Sequence, residues 1–303
     1  MRRRAAGLGL VVVGLLAATA CSASPEPDPA PSGTPSPTRS PAVPEVTEPD
    51  LSPLAEAVRG AVADPAAARA DVRELLAQGA EVADSAERAD ALGLTSLARL
   101  LTRADDPVRE PGAELLRAAT RGDADGAALA LRAGAPVDVR DARRRTPLLL
   151  AVIDDRLEVA DLLTRLGADP DAVDAQQDTP WLVTGVTGSV AMAKLLLPLD
   201  PDVALRNRYG GVSIIPASER GHVAYVRWAL QHTAVDVDHV NDLGWTALLE
   251  AVVLGEGTER WQRIVAILLA RGADPSIPDR DGVTALAHAR ARGYDAIAAL
   301  LSR

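Results

Sequence analysis

Histidine, cysteine, serine and paired carboxylates build most sites of bond chemistry, and this 303-residue chain holds four histidines and one cysteine. His222, His232, His239 and His288 are scattered. None has a cysteine or a second histidine three to five residues away, the spacing at which metal ligands gather, so no metal site is predicted. Ser189, in TGVTGSVAMAK, lacks the Gly-x-Ser-x-Gly elbow of serine nucleophiles. The run Gly185 to Lys194 misses the phosphate-loop spacing Gly-x-x-x-x-Gly-Lys-Ser/Thr and reads as a turn between helices. Asp154 with Asp155, and Asp236 with Asp238, fall where turns are expected, so their carboxylates should be solvated or bonded to backbone. No catalytic residue and no cofactor is predicted, and the chain reads as a non-enzyme.

Cys21 stands where an apolar run gives way to proline, in GLLAATACSASPEPDPAPSG. Before it come Arg2, Arg3 and Arg4, an apolar stretch from Leu8 to Ala18, and the small residues Ala18-Thr19-Ala20. That is the layout of a secretory signal peptide over residues 1–20. The apolar stretch is too short for a membrane span, which needs roughly 20 residues. The segment Leu15 to Cys21 resembles the lipobox of bacterial lipoproteins, with Ala18 where leucine is usual. The resemblance implies acylation of Cys21 after cleavage, with several chains attached, as stable anchoring requires. Export without lipid and an uncleaved anchor remain the alternatives. With Cys21 used, the mature chain can form no internal disulfide, and its stability must come from packing.

Ser22 to Asp50 carries nine prolines, five acids and Arg39, with almost nothing large and apolar. Such a composition cannot offset the entropy of ordering, so residues 21–50 are predicted to be the lipidated cysteine and a disordered linker. Fully extended, the linker reaches about 90 Å; as a coil it averages about 30 Å. Removing residues 1–20 takes away three arginines and no acid, leaving 29 basic against 42 acidic residues, a net charge of −13. Phosphate backbones and anionic lipid surfaces repel such a chain, which excludes nucleic acid as the expected partner. One lysine against 31 arginines, with no phenylalanine, fits a GC-rich bacterial genome.

Beyond residue 110 the sequence repeats. Thr146, Thr179 and Val212 are spaced by 33 residues, Thr246 follows at 34 and Thr284 at 38, with the extra residues near Thr233 to Val235 and Gly255 to Trp261. The marks are Thr146-Pro147-Leu148 with Ala151, Thr179-Pro180, Thr246-Ala247-Leu248 with Ala251, and Thr284-Ala285-Leu286 with Ala289. Gly-Ala-Asp endings begin at Gly167 and Gly272, and a Gly-Ala-Pro ending at Gly134. This pattern resembles the ankyrin repeat. Threonine then proline suits a helix start, where a hydroxyl satisfies an orphan amide and the missing proline donor costs nothing. Leu148, Ala151, Val152, Val159, Leu162 and Leu163 form apolar faces on two short helices, which fold only by stacking on neighbours.

The predicted fold is therefore an all-α ankyrin-repeat solenoid of stacked helix-turn-helix units with short β-hairpin loops. Repeats are expected over residues 112–141, 142–174, 175–207, 208–241, 242–279 and 280–303, the whole array being 111–303. Residues 51–110 are expected to be a divergent helical N-terminal cap or degenerate repeats, with 93–101 as a first helix lacking its second. The resemblance implies a structural hydrogen bond for His222, which follows Gly221 between two helices; His232 and His239 flank a loop and are expected at the surface. The resemblance also implies binding of a protein partner on a concave surface made by hairpin tips and first helices. The candidate contact residues on the tips are Arg143, Arg145, Gln176, Asp178, Arg208, Tyr209, Asp242, Trp245 and Arg280. The arginines have an alternative use, pairing with Asp141, Asp174 and Asp279, and the rings of Tyr209 and Trp245 have another, packing between tips. The function expected is an exported, monomeric binding protein, anchored to the outer face of the cell membrane or secreted if Cys21 stays unmodified, acting as scaffold, inhibitor or regulator. An envelope enzyme on a solenoid scaffold is the rival.

Overall fold

The computed structural model describes residues 51–302, so the predicted signal peptide, Cys21 and the linker to residue 50 lie outside the described residues. From residue 111 onward the chain forms six helix pairs. They are α5 (Pro111–Arg121) with α6 (Ala124–Arg132), α7 (Pro147–Ile153) with α8 (Leu157–Arg165), α9 (Pro180–Thr187) with α10 (Val190–Leu196), α11 (Ile214–Glu219) with α12 (Val223–His232), α13 (Ala247–Val253) with α14 (Glu259–Ala270), and α15 (Ala285–Ala291) with α16 (Asp295–Leu301). First helices touch first helices and second helices touch second helices along the array. This is an ankyrin-type solenoid.

The period-33 threonines start these helices. Thr146, Thr179 and Thr246 each accept a hydrogen bond from the amide three residues on, at 3.1–3.2 Å, and Thr284 does so at 3.4 Å. Pro147 and Pro180 occupy the first turn. Val212 stands in the threonine register of the fourth pair and has no hydroxyl. Its helix, α11, spans six residues, and the neighbouring Ser213 makes no side-chain cap. The predicted core residues Leu148, Ala151, Val152, Val159, Leu162 and Leu163 are all buried, and each large aliphatic among them contributes about 1.5–3 kcal/mol of burial.

The hairpin expectation needs correction. Among the described residues there is no strand, and the nearest approach is an isolated bridge between Pro278 and Thr284. Each tip is closed by two backbone bonds, such as Asp141 N–H to the Arg145 carbonyl at 3.1 Å with Arg144 N–H to the Asp141 carbonyl at 2.9 Å, and Asn241 N–H to the Trp245 carbonyl at 3.0 Å with Gly244 N–H to the Asn241 carbonyl at 2.9 Å. The inner amides, which a ladder would use, donate instead to an Asp or Asn side chain. Asp141 Oδ1 accepts from Arg143 and Arg145, Asp174 Oδ1 from Gln176 and Asp178, and Asn207, Asn241 and Asp279 repeat the pattern. Side-chain caps replace strand pairing.

Glycine in mid-helix costs about 1 kcal/mol against alanine, yet Gly185 lies inside α9. A Cβ there would come within 1.9 Å of the Ser213 carbonyl oxygen of the next repeat. Gly185→Ala is expected to lose more by overpacking, about 1–3 kcal/mol, than the helix gains. Urea denaturation followed by circular dichroism should show a net loss of about 1–2 kcal/mol; unchanged stability would mean that α9 and α11 are not so closely apposed.

Residues 51–110 form four helices, α1 (Pro53–Gly60), α2 (Pro65–Ala77), α3 (Ser85–Ala91) and α4 (Thr95–Thr102). The stretch 93–101, expected to be a first helix lacking its partner, is the second member of the pair α3 and α4. Leu54, Val58, Val72, Leu76, Leu97 and Leu101 build a core here that Leu129 of α6 joins. Helix α2 lies against the second helices α6 and α8. Arg73, almost buried, donates from Nε to Asp125 at 2.7 Å and pairs through Nη1 with Glu158 at 2.9 Å; Arg69 also reaches Asp125. Burial opposes ionisation of Asp125, but hydrogen bonds from Arg69 and Arg73 outweigh it and hold the carboxyl below its usual range. The ion pairs therefore fasten this unit to the second-helix side of the array, leaving the first-helix side open.

Candidate functional site

Along the first-helix side runs a groove of about 530 Å³, walled by the tips and floored by α7, α9, α11 and α13. Six of the nine candidate residues line it, namely Arg143, Arg145, Gln176, Asp178, Arg208 and Tyr209. Their positions follow from the tip caps. Because Asp141, Asp174 and Asn207 bond the amides two and four residues on, each tip is held in the same turn and equivalent positions recur side by side at every repeat.

The arginines are only partly committed to internal pairs. Arg145 pairs with Asp141 at 2.7 Å. Arg208 Nη1 meets Asp178 Oδ2 at 3.1 Å while its guanidinium lies over the Tyr209 ring, 4.7 Å from the centroid. Burial opposes ionisation of Asp141, yet hydrogen bonds from Arg145 and Arg143 leave its carboxyl below the usual range. Burial raises Asp178, Arg208 working against the shift and Asp174 adding to it. Tyr209 is 51% exposed and Arg143 is exposed, so this part of the wall presents a guanidinium and a guanidinium-backed phenol to solvent. Such residue types dominate binding energy once buried at an interface.

Asp242, Trp245 and Arg280 lie outside the groove. Asp242 N–H donates to the Tyr209 carbonyl at 2.8 Å, and Arg280 folds back to donate to the Asp242 carbonyl. The Trp245 ring is half-buried and packs against the hydrophobic core. Asp279, a possible arginine partner, instead pairs with His288 at 2.7 Å.

Groove residues that the sequence did not flag come mostly from the floor. Ile153 and Leu254 are exposed apolar residues at the ends of α7 and α13. Glu219 closes α11, and Glu250 of α13 is 5% exposed, a carboxyl in the midst of a helix core. Its hydrogen bond comes from Asn241 Nδ2 to Oε1 at 2.9 Å. Burial raises the Glu250 pKa to about 7, with the negative charge of Glu219 pushing the same way and the Asn241 hydrogen bond opposing. Glu250 follows the cap Thr246 by four residues, and that spacing was the available signal.

Each histidine holds a hydrogen bond within the fold. His222 Nε2–H donates to the Val186 carbonyl at 3.1 Å, and burial lowers its pKa. His239 bonds the Gly210 carbonyl at 2.7 Å. His232 is exposed, as expected, and bonds the Trp228 carbonyl at 2.9 Å while stacking on the Trp228 ring, centroids 5.1 Å apart. Among the described residues no group of three or more His, Cys, Asp or Glu is placed to hold a metal ion.

Comparison with known proteins joins the fold to a family. The family model for the ankyrin repeat matches residues 143–175, and that for ankyrin repeats in many copies matches 214–255. The crystal structure of an ankyrin repeat domain from Acinetobacter baumannii AYE is 43% identical with a TM-score of 0.59, the match covering 62% of this chain and 95% of that one. This chain belongs to the ankyrin-repeat family. Another ankyrin-repeat protein, EF0377, is 38% identical with a TM-score of 0.62 over 65% of this chain and 99% of its own. The ankyrin-repeat domain of Bcl-3, from the IκB family, is 27% identical with a TM-score of 0.56, over 63% of this chain and 85% of its own. The putative ankyrin repeat protein YahD of Escherichia coli K12 is 47% identical over 105 residues. That match spans 35% of this chain and about half, 52%, of YahD.

Proposed function

We propose that this ankyrin-repeat protein is exported, anchored to the outer face of the cell membrane through lipid on Cys21, and binds another protein in the groove along its first helices. It acts there as a scaffold, inhibitor or regulator and makes or breaks no bond. One observation carries the binding role: six tip residues chosen for their sequence positions line a single open groove, with a charge-backed aromatic on its wall. The ankyrin-repeat family, typical of protein-protein interaction, supports the same reading. Export and anchoring rest on the lipobox-like segment before Cys21.

The test is a crosslinked pull-down from intact membranes with the native chain, a Cys21→Ala form, and an Arg208→Ala/Tyr209→Ala form. The native chain should float with membranes and capture one dominant protein. Cys21→Ala should leave the membrane fraction and lose the crosslink. The groove variant should stay on the membrane, keep its thermal midpoint within about 1 °C, because exposed side chains shift stability by less than about 0.5 kcal/mol, and reduce capture at least tenfold. Equal capture by the native chain and the groove variant would remove the groove from the binding role.

A further inference from the structure

The tips from Asp141 to Asp279 each have a capping Asp or Asn, a first-helix residue stands nine positions later, and in the last two repeats the two side chains meet. After Asp141, Asp174 and Asn207 that residue is Leu150, Val183 or Pro216. After Asp279 it is His288, and the two pair at 2.7 Å. After Asn241 it is Glu250. The amide of Asn241 brings a hydrogen bond but no charge, and Glu250 makes no ion pair. A buried polar position that one repeat completes internally is left, in the repeat before it, as a carboxyl lining an open groove.

We infer that the partner places a lysine or arginine side chain on the groove floor against the Glu250 carboxyl, with Glu219 beside it. This rests on the groove being the protein-binding surface. The groove's own cations do not fill the place: Arg145 and Arg208 are held by Asp141 and Asp178. Arg143 and Arg220 are exposed. The charged groups around α13 are few. Helix α11 contributes Glu219 with Arg220 after it, α15 contributes His288, tied to Asp279, and exposed Arg290, and α14 turns Glu259, Arg260 and Arg263 outward. Of these only Glu219 acts on Glu250, and it makes the site more attractive to a cation.

Burying a carboxylate without a cation is costly, so near neutral pH much of Glu250 carries a proton. An incoming ammonium or guanidinium ionises it, and the proton leaves to solvent as the ion pair forms. Binding then tightens with rising pH. With the free carboxyl titrating at about 7 and the bound one well below, the apparent affinity rises about tenfold from pH 6 to pH 8. If the groove instead used protonated Glu250 as a donor to a partner carbonyl, affinity would fall over the same range.

The probe is a set of heptapeptide pools, biotinylated and immobilised, with randomised flanks and a fixed central Lys, Arg, Gln or Leu, presented with the full chain, its Glu250→Gln form and its Arg208→Ala/Tyr209→Ala form. The inference predicts at least tenfold more retention on Lys or Arg pools than on Gln or Leu pools, an increase of about tenfold between pH 6 and 8, and loss of both in Glu250→Gln. That variant keeps the Asn241 contact and should fold. Retention with no basic preference, lost in the Arg208→Ala/Tyr209→Ala form, would overturn the inference and leave groove binding standing. A basic preference that survives Glu250→Gln, or binding that tightens as pH falls, would overturn it too. Absence of retention on every pool would overturn the inference, and with it groove binding if no crosslink forms at the groove in cells.

Discussion

Trp181→Ala is expected to lower stability by about 3–5 kcal/mol, the range for deleting a large buried aromatic. Trp181 lies in the first turn of α9, in the third of the six helix pairs, and is 1% exposed. Its ring meets Trp228 of the next repeat at 6.5 Å, tilted by 52°, and Trp228 stacks in turn on His232. With seven aromatics in the chain, this chain of rings joins the early and late halves of the array. A solenoid is stabilised by nearest-neighbour interfaces, so the loss should fall on one interface. Urea denaturation should show a transition both lower and broader than that of the native chain, since the two halves no longer melt together. A loss under 1 kcal/mol with an unbroadened transition would mean that the ring is not what couples the repeats. The buried indole nitrogen has no hydrogen-bond partner among the described residues, so Trp181→Phe should cost far less than Trp181→Ala.

The second large effect is at Glu250. Its folded pKa of about 7 lies above the ordinary 4.5, so the folded state favours the protonated form. The carboxyl is tolerated fully below pH 4.5, and stability is lost as pH rises towards and through 7. A shift of that size corresponds to about 3 kcal/mol at pH 8. Glu250→Gln keeps the shape and the Asn241 contact but cannot ionise. It should match the native chain at pH 4 and be more stable by about 3 kcal/mol at pH 8. Denaturation at the two pH values checks this. Equal stability of both forms at pH 8 would show that Glu250 ionises freely in the fold. A carboxyl that destabilises its own repeat belongs to function more readily than to folding.

The array was legible because its signals are local. Thr146, Thr179, Thr246 and Thr284 cap the helices they were expected to open, and the apolar spacing around Leu148 and Leu163 is that of helices stacked on both sides. The tips were legible as tips but not as turns, because the residues that replace a strand ladder are single Asp and Asn side chains whose roles depend on loop geometry. Helix α3, SAERADA, offers no apolar periodicity, so the sequence does not show that 93–101 is the second helix of a pair rather than a first helix lacking its second. The attachment of α2 to α6 and α8 rests on Arg69 and Arg73 meeting Asp125, residues more than fifty positions apart, which no local pattern announces.

For the groove, sequence position found the walls and missed the floor. Arg143, Arg145, Gln176, Asp178, Arg208 and Tyr209 gather because the repeat places equivalent tip residues side by side. Asp242 and Arg280 are drawn out of the groove by contacts between neighbouring tips. The floor depends on which side of a first helix faces outward, and in short, almost wholly buried helices such as α13 the polar residue is the exception that reveals it.

The central claim is that a protein binds in the groove. A photo-crosslinking amino acid placed at Gln176, an exposed groove residue, and separately at Arg271, exposed at the end of α14, tests it in the producing cells. The account predicts one discrete protein adduct from position 176, lost on Arg208→Ala/Tyr209→Ala substitution, and none from position 271. The same adducts from both positions, or none from position 176, would contradict it.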